Sequence, residues 1–142
     1  MRNLKPILLV EDDDTDVMII EHVFADLEIR NELICAGDGS EALEHLRNVG
    51  DQVPCLILLD LNMPGMDGIE FLREVKADER LKNIPIIAMT GSGEREDKMS
   101  SFGLGIAGYI VKPCKYEKFV EAIKTIDRYW TLSELPLSEV TI

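Results

Sequence analysis

No stretch of this chain comes near the roughly 20 consecutive apolar residues that a membrane-spanning helix needs. Met1-Arg2-Asn3-Leu4-Lys5-Pro6 runs straight into a short strand-like segment, without the apolar core and cleavage site of a signal peptide, so a cytoplasmic protein is expected. Cysteine is scarce: Cys35, Cys55 and Cys114 are an odd number without metal-type spacing. Two of them sit beside apolar runs, where cysteine behaves as a small hydrophobe, so buried structural thiols are expected rather than redox chemistry. Basic residues are also few, 15 Lys and Arg against 27 Asp and Glu, for a formal net charge of −12. That balance disfavours binding to nucleic acid and to anionic membranes. Repeats, low-complexity segments and internal linkers are absent.

What is present suits one compact domain. The 142 residues are 46% hydrophobic and 30% charged, a globular rather than a disordered balance. Short apolar runs alternate with helix-periodic stretches. Strands are expected at 7–10, 33–36, 55–59, 84–89 and 107–111. Between them, apolar residues recur at helical spacing (Val17, Ile20, Val23, Phe24 and Leu27; Ala42, Leu43 and Leu46; Ile69, Leu72 and Val75). A polar helix is expected at 94–102 and a last helix from Tyr116 to Trp130, with Phe119, Ile123, Ile126 and Trp130 on one face. Glycines flanking the 94–102 segment make it the least stable element expected, since an interior glycine costs about 1 kcal/mol relative to alanine. Asp38 with Glu41, and Asp67 with Glu70, carry the acceptor-then-Glu signature of a helix start. Continuously apolar strands indicate a parallel sheet covered on both faces, hence a doubly wound α/β sandwich.

In such a sheet, ligands bind beyond the carboxyl ends of the strands. Here the first strand ends at Glu11-Asp12-Asp13-Asp14, the third at Asp60, the fourth at Thr90, and the fifth leads into Lys112-Pro113. Converging carboxylates repel unless a cation intervenes. Oxygen donors of this kind suit Mg²⁺, which uses one or two carboxylates together with phosphate oxygens. Asp60 at a strand tip is placed to act as a nucleophile forming an acyl phosphate. Taken singly, each feature has an ordinary structural explanation: an acidic loop, a cap (Asp13 or Asp14), a turn at 90–93, a core tyrosine at 109. Their joint occurrence at successive strand ends favours the functional reading.

These residues resemble the receiver domain of two-component response regulators, over about Pro6 to Trp130. Glu11 and Asp12 match the family's acidic pair, Asp60 its phosphoacceptor, and the segment from Asp60 through Asn62 and Pro64 to Asp67-Gly68 its loop after the third strand. Thr90, Tyr109 and Lys112-Pro113 match its switch hydroxyl, switch aromatic and Lys-Pro pair. The resemblance implies a CheY-like five-stranded parallel sheet of order 2-1-3-4-5. It implies Mg²⁺ held by Asp12, Asp60 and the backbone carbonyl of Asn62, with Glu11 acting largely through water, and a phosphoryl group received on Asp60 from a sensor histidine kinase. It further implies that Lys112 contacts the phosphoryl group, that Lys112-Pro113 is cis, and that Thr90 and Tyr109 move together when Asp60 is phosphorylated. Within the family, residues 78–85 and Arg128-Tyr129-Trp130 resemble the stand-alone receivers that pair with bacterial phytochrome kinases.

A receiver domain of residues 1–130 is expected, with a C-terminal extension of 131–142 too short for a helix-turn-helix. That extension either covers the domain's own core or supports a homodimer. A haloacid-dehalogenase-type phosphatase also uses a strand-end Asp and Mg²⁺. It resembles this chain less well, because the second Asp of such enzymes, two residues on, is here Asn62. A receiver-like docking module that takes no phosphate is disfavoured by Asp60, Thr90 and Lys112 all being present.

Overall fold

The structure is a computed structural model that describes residues 5–50, 52–61, 68–91, 103, 105–112 and 116–132, with the backbone alone for 90, 91, 109, 111, 112 and 126–132. The elements run β1 (Ile7–Val10), α1 (Asp14–Asp26), β2 (Leu33–Ala36), α2 (Gly39–Asn48), β3 (Leu56–Asp60), α3 (Gly68–Lys76), β4 (Ile86–Gly91), β5 (Gly108–Lys112) and α4 (Tyr116–Leu132). The strands form one sheet in the order β2-β1-β3-β4-β5, and every pairing is parallel.

Strand alternation divides the core into two layers. Leu8 and Val10 of β1, Ile57 and Leu59 of β3, and Ile86 and Ala88 of β4 pack against Ala42, Leu43 and Leu46 of α2 and Phe71, Leu72 and Val75 of α3. The intervening residues Ile7, Leu9, Leu56, Leu58 and Met89 face Ile20, Val23 and Phe24 of α1 and Phe119 and Ile123 of α4. Both faces of the central strands are therefore sealed, which is why β1 and β3 read as unbroken apolar runs.

The helix starts obey local chemistry. Asp13 caps α1, its carboxylate accepting from the backbone N–H of Thr15 (2.8 Å) and Asp16 (3.3 Å). Asp38 caps α2 by accepting from Glu41 N–H at 2.8 Å, while the Glu41 side chain reaches back to Gly37 N–H at 2.9 Å. That return bond lands one residue earlier than in the usual capping box. Helix α1 ends with Glu28 at φ 55° and paired backbone bonds, Ile29 N–H to Phe24 and Glu28 N–H to Ala25, a Schellman turn built without glycine. Arg80, in the loop before β4, donates to the carbonyls of Leu46 and Gly50, each at 2.6 Å, and so closes the carboxyl end of α2.

Several expectations need correction. Strand β4 begins after Pro85, not at Ile84, because Pro85 has no N–H and serves the sheet through its carbonyl, which accepts from Ile57. It then continues to Gly91, where pairing with Lys112 keeps Thr90 and Gly91 in the strand and out of a turn. Strand β3 starts at Leu56, since Cys55 N–H bonds Pro6 ahead of the β1 register. Cys35 is exposed, because it lies on the edge strand β2 near the sheet's rim; Cys55 is buried as expected. The helix expected at 94–102, the cap at Asp67, Cys114 and the tail beyond 132 lie outside the described residues. No helix among the described residues is long and apolar enough to cross a membrane.

Candidate phosphorylation site

The site forms where β1 and β3 end side by side. Val10 pairs with Leu59, so Glu11, the residue after β1, and Asp60, the last residue of β3, emerge together. Glu11 N–H bonds the Ala36 carbonyl at 3.0 Å and Leu61 N–H bonds the Met89 carbonyl at 2.9 Å, so the sheet's hydrogen bonding holds both tips one step beyond the strands. Asp60 shares the parity of Leu56 and Leu58, which face α1. It therefore sits on the side where the β1–α1 connection carries Asp12.

The carboxylates of Glu11, Asp12 and Asp60 each bring an oxygen within 4.8 Å of the other two. Glu11 and Asp60 are buried, at 3% and 5% exposure, and Asp12 is exposed, so the cluster has a closed floor and an open mouth. Asp13 is occupied by its capping bonds, and Asp14 belongs to the first turn of α1; both are exposed, unlike Glu11. Glu11 is oriented in part by Asp13 N–H, which donates to its Oε2 at 3.2 Å.

Two like charges 4.8 Å apart repel by about 3.5 kcal/mol at an effective dielectric of about 20. A set of only carboxylate oxygens, confined to this span and open on one side, fits a hard divalent cation such as Mg²⁺, with solvent completing the shell. Among the described residues the set does not include the nitrogen and sulfur donors that zinc favours.

The other expected residues come in through backbone register. Asp60 pairs with Met89, placing Thr90 one residue further along the neighbouring strand, and Gly91 pairs with Lys112 at the end of β5. Tyr109 lies on β5 opposite Ala88. The order of these positions along adjacent strand ends is thus established for the backbone. Asn62 and Pro113 lie outside the described residues.

One contact near the site had no counterpart in the sequence reading. A Cβ built on Gly68, the first residue of α3, would stand 2.7 Å from the Asp60 carbonyl and 2.9 Å from the Leu61 carbonyl carbon, and closer still to the Leu61 Cα. The signal available was a glycine at a helix start, where a residue with helix propensity would otherwise be favoured.

Comparison with known proteins agrees with this arrangement. Residues 7–124 match the response regulator receiver domain family. The response regulator Rcp1 of Synechocystis sp. is 35% identical over 130 residues, covering 89% of this chain and 88% of its own. The crystal structure of the phosphorylated cyanobacterial phytochrome response regulator RcpA superposes with a TM-score of 0.83 at 35% identity, over 94% of this chain and 99% of that one. The Mn²⁺-bound form of Rcp1 gives a TM-score of 0.80 at 35% identity, over 93% of this chain and 99% of its own. With the family model spanning most of the chain and the strand-end carboxylates in place, the chain belongs to the response regulator receiver domain family.

Proposed function

We propose that this protein is a phosphorylation-controlled signalling switch whose Asp60 accepts a phosphoryl group from the phosphohistidine of a sensor kinase. The observation that carries the reading is the gathering of Glu11, Asp12 and Asp60 within 4.8 Å at the carboxyl end of the sheet. An Asp60 carboxylate oxygen attacks phosphorus, the O–P bond of an acyl phosphate forms, the N–P bond of the donor breaks, and the imidazole leaves with that electron pair. Asp12 and Asp60, with Glu11 behind them and the carbonyl of Asn62 assigned by its place in the matching loop, would hold Mg²⁺. When bound, the cation supplies charge neutralisation for the phosphoryl oxygens.

The chain's own contribution is positional. Burial of β3 keeps the Asp60 backbone from retreating; Thr90 and Lys112, whose backbones lie at neighbouring strand ends, are assigned through the family resemblance to hydrogen-bond and charge-pair the added phosphate. Drawing Thr90 inward leaves room that Tyr109 takes, which biases the β4–β5 edge toward a second conformation. Partner binding then reads that edge. A phytochrome-type kinase is the proposed donor, because RcpA is a phytochrome response regulator and shares the fold at 35% identity. The protein then works in the cytoplasm, beside the kinase's own phosphohistidine. Residues 1–130 form the receiver, with 131–142 as an extension that either covers the core or joins two copies.

Ser92, two residues beyond Thr90, has no carboxylate to orient an attacking water, so dephosphorylation is slow. An aspartyl-phosphate half-life of only seconds contradicts this. The central test is incubation with a small phosphodonor and Mg²⁺, followed by intact mass of wild type and Asp60→Asn. One phosphoryl addition to wild type alone is expected. Equal labelling of both overturns Asp60 as the acceptor, and steady turnover of phosphate esters points to a phosphatase instead.

A further inference from the structure

Gly68 opens α3, yet it comes closest to the Asp60–Leu61 backbone at the end of β3. A Cβ at this position would lie 2.7 Å from the Asp60 carbonyl oxygen and 2.9 Å from the Leu61 carbonyl carbon. Both separations fall well inside the roughly 3.5–4 Å at which such atoms pack. The obstructing atoms are backbone, so no rotamer change relieves the overlap. Gly68 is also buried, and its N–H donates to the Leu61 carbonyl at 3.0 Å. The amide of Leu61 is in turn held by the Met89 carbonyl of β4 at 2.9 Å. The residue directly after Asp60 is thus gripped from two sides, by a strand through its N–H and by a helix start through its carbonyl. Its side chain, 1% exposed, is sealed in the layer shared by α2 and α3.

Glu11 and Asp12 belong to a different chain segment, anchored by the Ala36 carbonyl and the Asp13 cap of α1. Displacement of the 60–61 backbone would therefore move Asp60 relative to the other two carboxylates and would not carry them along.

We infer that Gly68 is a positioning residue for the site: the missing side chain lets α3 press on the Asp60–Leu61 backbone and set the distance of the Asp60 carboxylate from Glu11 and Asp12. The inference rests on the carboxylate cluster holding a divalent cation, as proposed above. Any larger residue at 68 forces the start of α3 and the Asp60–Leu61 backbone apart, and on this inference the span of the three oxygens opens.

The test measures Mn²⁺ affinity of the full chain by calorimetric titration, without any phosphodonor, for wild type, Gly68→Ala and Val75→Ala. Val75 is fully buried on the same helix, so its truncation loosens α3 without touching β3 at Asp60. Gly68→Ala should lose about tenfold or more in Mn²⁺ affinity, as loss of supporting contacts around a metal typically costs, while Val75→Ala melts lower but binds as wild type. Undiminished affinity in Gly68→Ala, or an equal loss in Val75→Ala, overturns the positioning role and leaves the cation site standing. Failure of wild type to bind Mn²⁺ overturns both. Should Gly68→Ala not fold, amide exchange in wild type decides: saturating Mg²⁺ should slow the Leu61 and Gly68 N–H groups more than that of Val75, and a uniform effect or none refutes the coupling.

Discussion

Replacing Asp60 with asparagine should stabilise the protein when no divalent cation is present. Asparagine keeps the shape of the side chain and removes its charge from a cluster whose oxygens lie within 4.8 Å. At an effective dielectric of about 20, each pair at that distance costs about 3.5 kcal/mol, and Asp60 takes part in two. The pair with exposed Asp12 is weakened by water, and the other interactions of Glu11 and Asp60 offset part of the rest, leaving a net gain of about 1–3 kcal/mol. For a chain of this size 1 kcal/mol moves the midpoint by about 3 °C, so Asp60→Asn should melt about 3–9 °C above wild type in EDTA. Mg²⁺ at a hundredfold excess over Kd should add about 2.7 kcal/mol to wild type through linkage, and little to the variant. Calorimetry with and without Mg²⁺ reads both effects. A variant that melts at or below wild type in EDTA, or that gains as much from Mg²⁺, would refute the claim that repulsion among these carboxylates is what the cation relieves.

Other consequences are simpler to check. Tyr116 donates its hydroxyl to the Asp26 carboxylate, and this hydrogen bond, with lesser help from desolvation and the Asp26 charge, raises its pKa above 10.0. The stabilisation is therefore complete below pH 10 and lost as pH climbs through the raised value. Wild type should lose melting temperature above pH 10 more steeply than Tyr116→Phe, and parallel curves would contradict the contact. Burial pushes the Cys55 thiol up to about 12, whereas Cys35 is exposed and is raised by partial desolvation and Glu21. Among these two, a thiol reagent at pH 8 should modify Cys35 first, and early loss of Cys55 in peptide mapping would disprove it. Arg80→Ala should cost about 1–2 kcal/mol by stripping two carbonyls of a charged donor, with Arg80→Lys recovering only part; urea melts that match wild type would rule out the cap.

The legibility of this fold in its sequence follows from burial. Residues 7–10 and 33–36 appear as strands with the expected bounds, because an apolar tetrapeptide between polar turns has few alternatives. Boundaries slipped where a backbone bond, and not a side chain, decides them: Pro85 and Cys55 look apolar but stand outside their strands, while Gly91 looks like a turn and is paired. The carboxylate cluster was legible because parallel strands all present the same end, so residues that follow them in sequence meet in space. The contacts of Gly68 and Arg80 were not, although Gly68 stands in the matched loop and Arg80 in the matched segment 78–85. Each acts on backbone atoms of another segment, and such contacts leave no periodicity or spacing to read. The Cys35 expectation failed for a related reason, since an edge strand and a central strand can share composition but not burial.

The two ends of the sheet are built on opposite terms. At the amino end, hydrogen bonds near the β1–β3 start join neutral groups: Asn31 Nδ2 donates to the Lys5 carbonyl at 2.8 Å, Cys55 Sγ to the same carbonyl at 3.2 Å, and Cys55 N–H to the Pro6 carbonyl at 2.9 Å. At the carboxyl end three carboxylates are held close. The strands between are unexposed at Leu8, Leu9, Ile57, Leu58 and Leu59, each contributing about 1.5–3 kcal/mol by burial, which is comparable to the repulsion at their tips. A carboxylate on a loop would relieve such repulsion by swinging into water. On β3 it cannot do so, because its backbone is tied to β4 on one side and to α3 on the other. Whatever repulsion its other interactions leave uncompensated persists in the folded protein, and its release becomes part of the free energy with which a cation is bound. Strand ends that cannot swing into water are thus a condition for a responsive site.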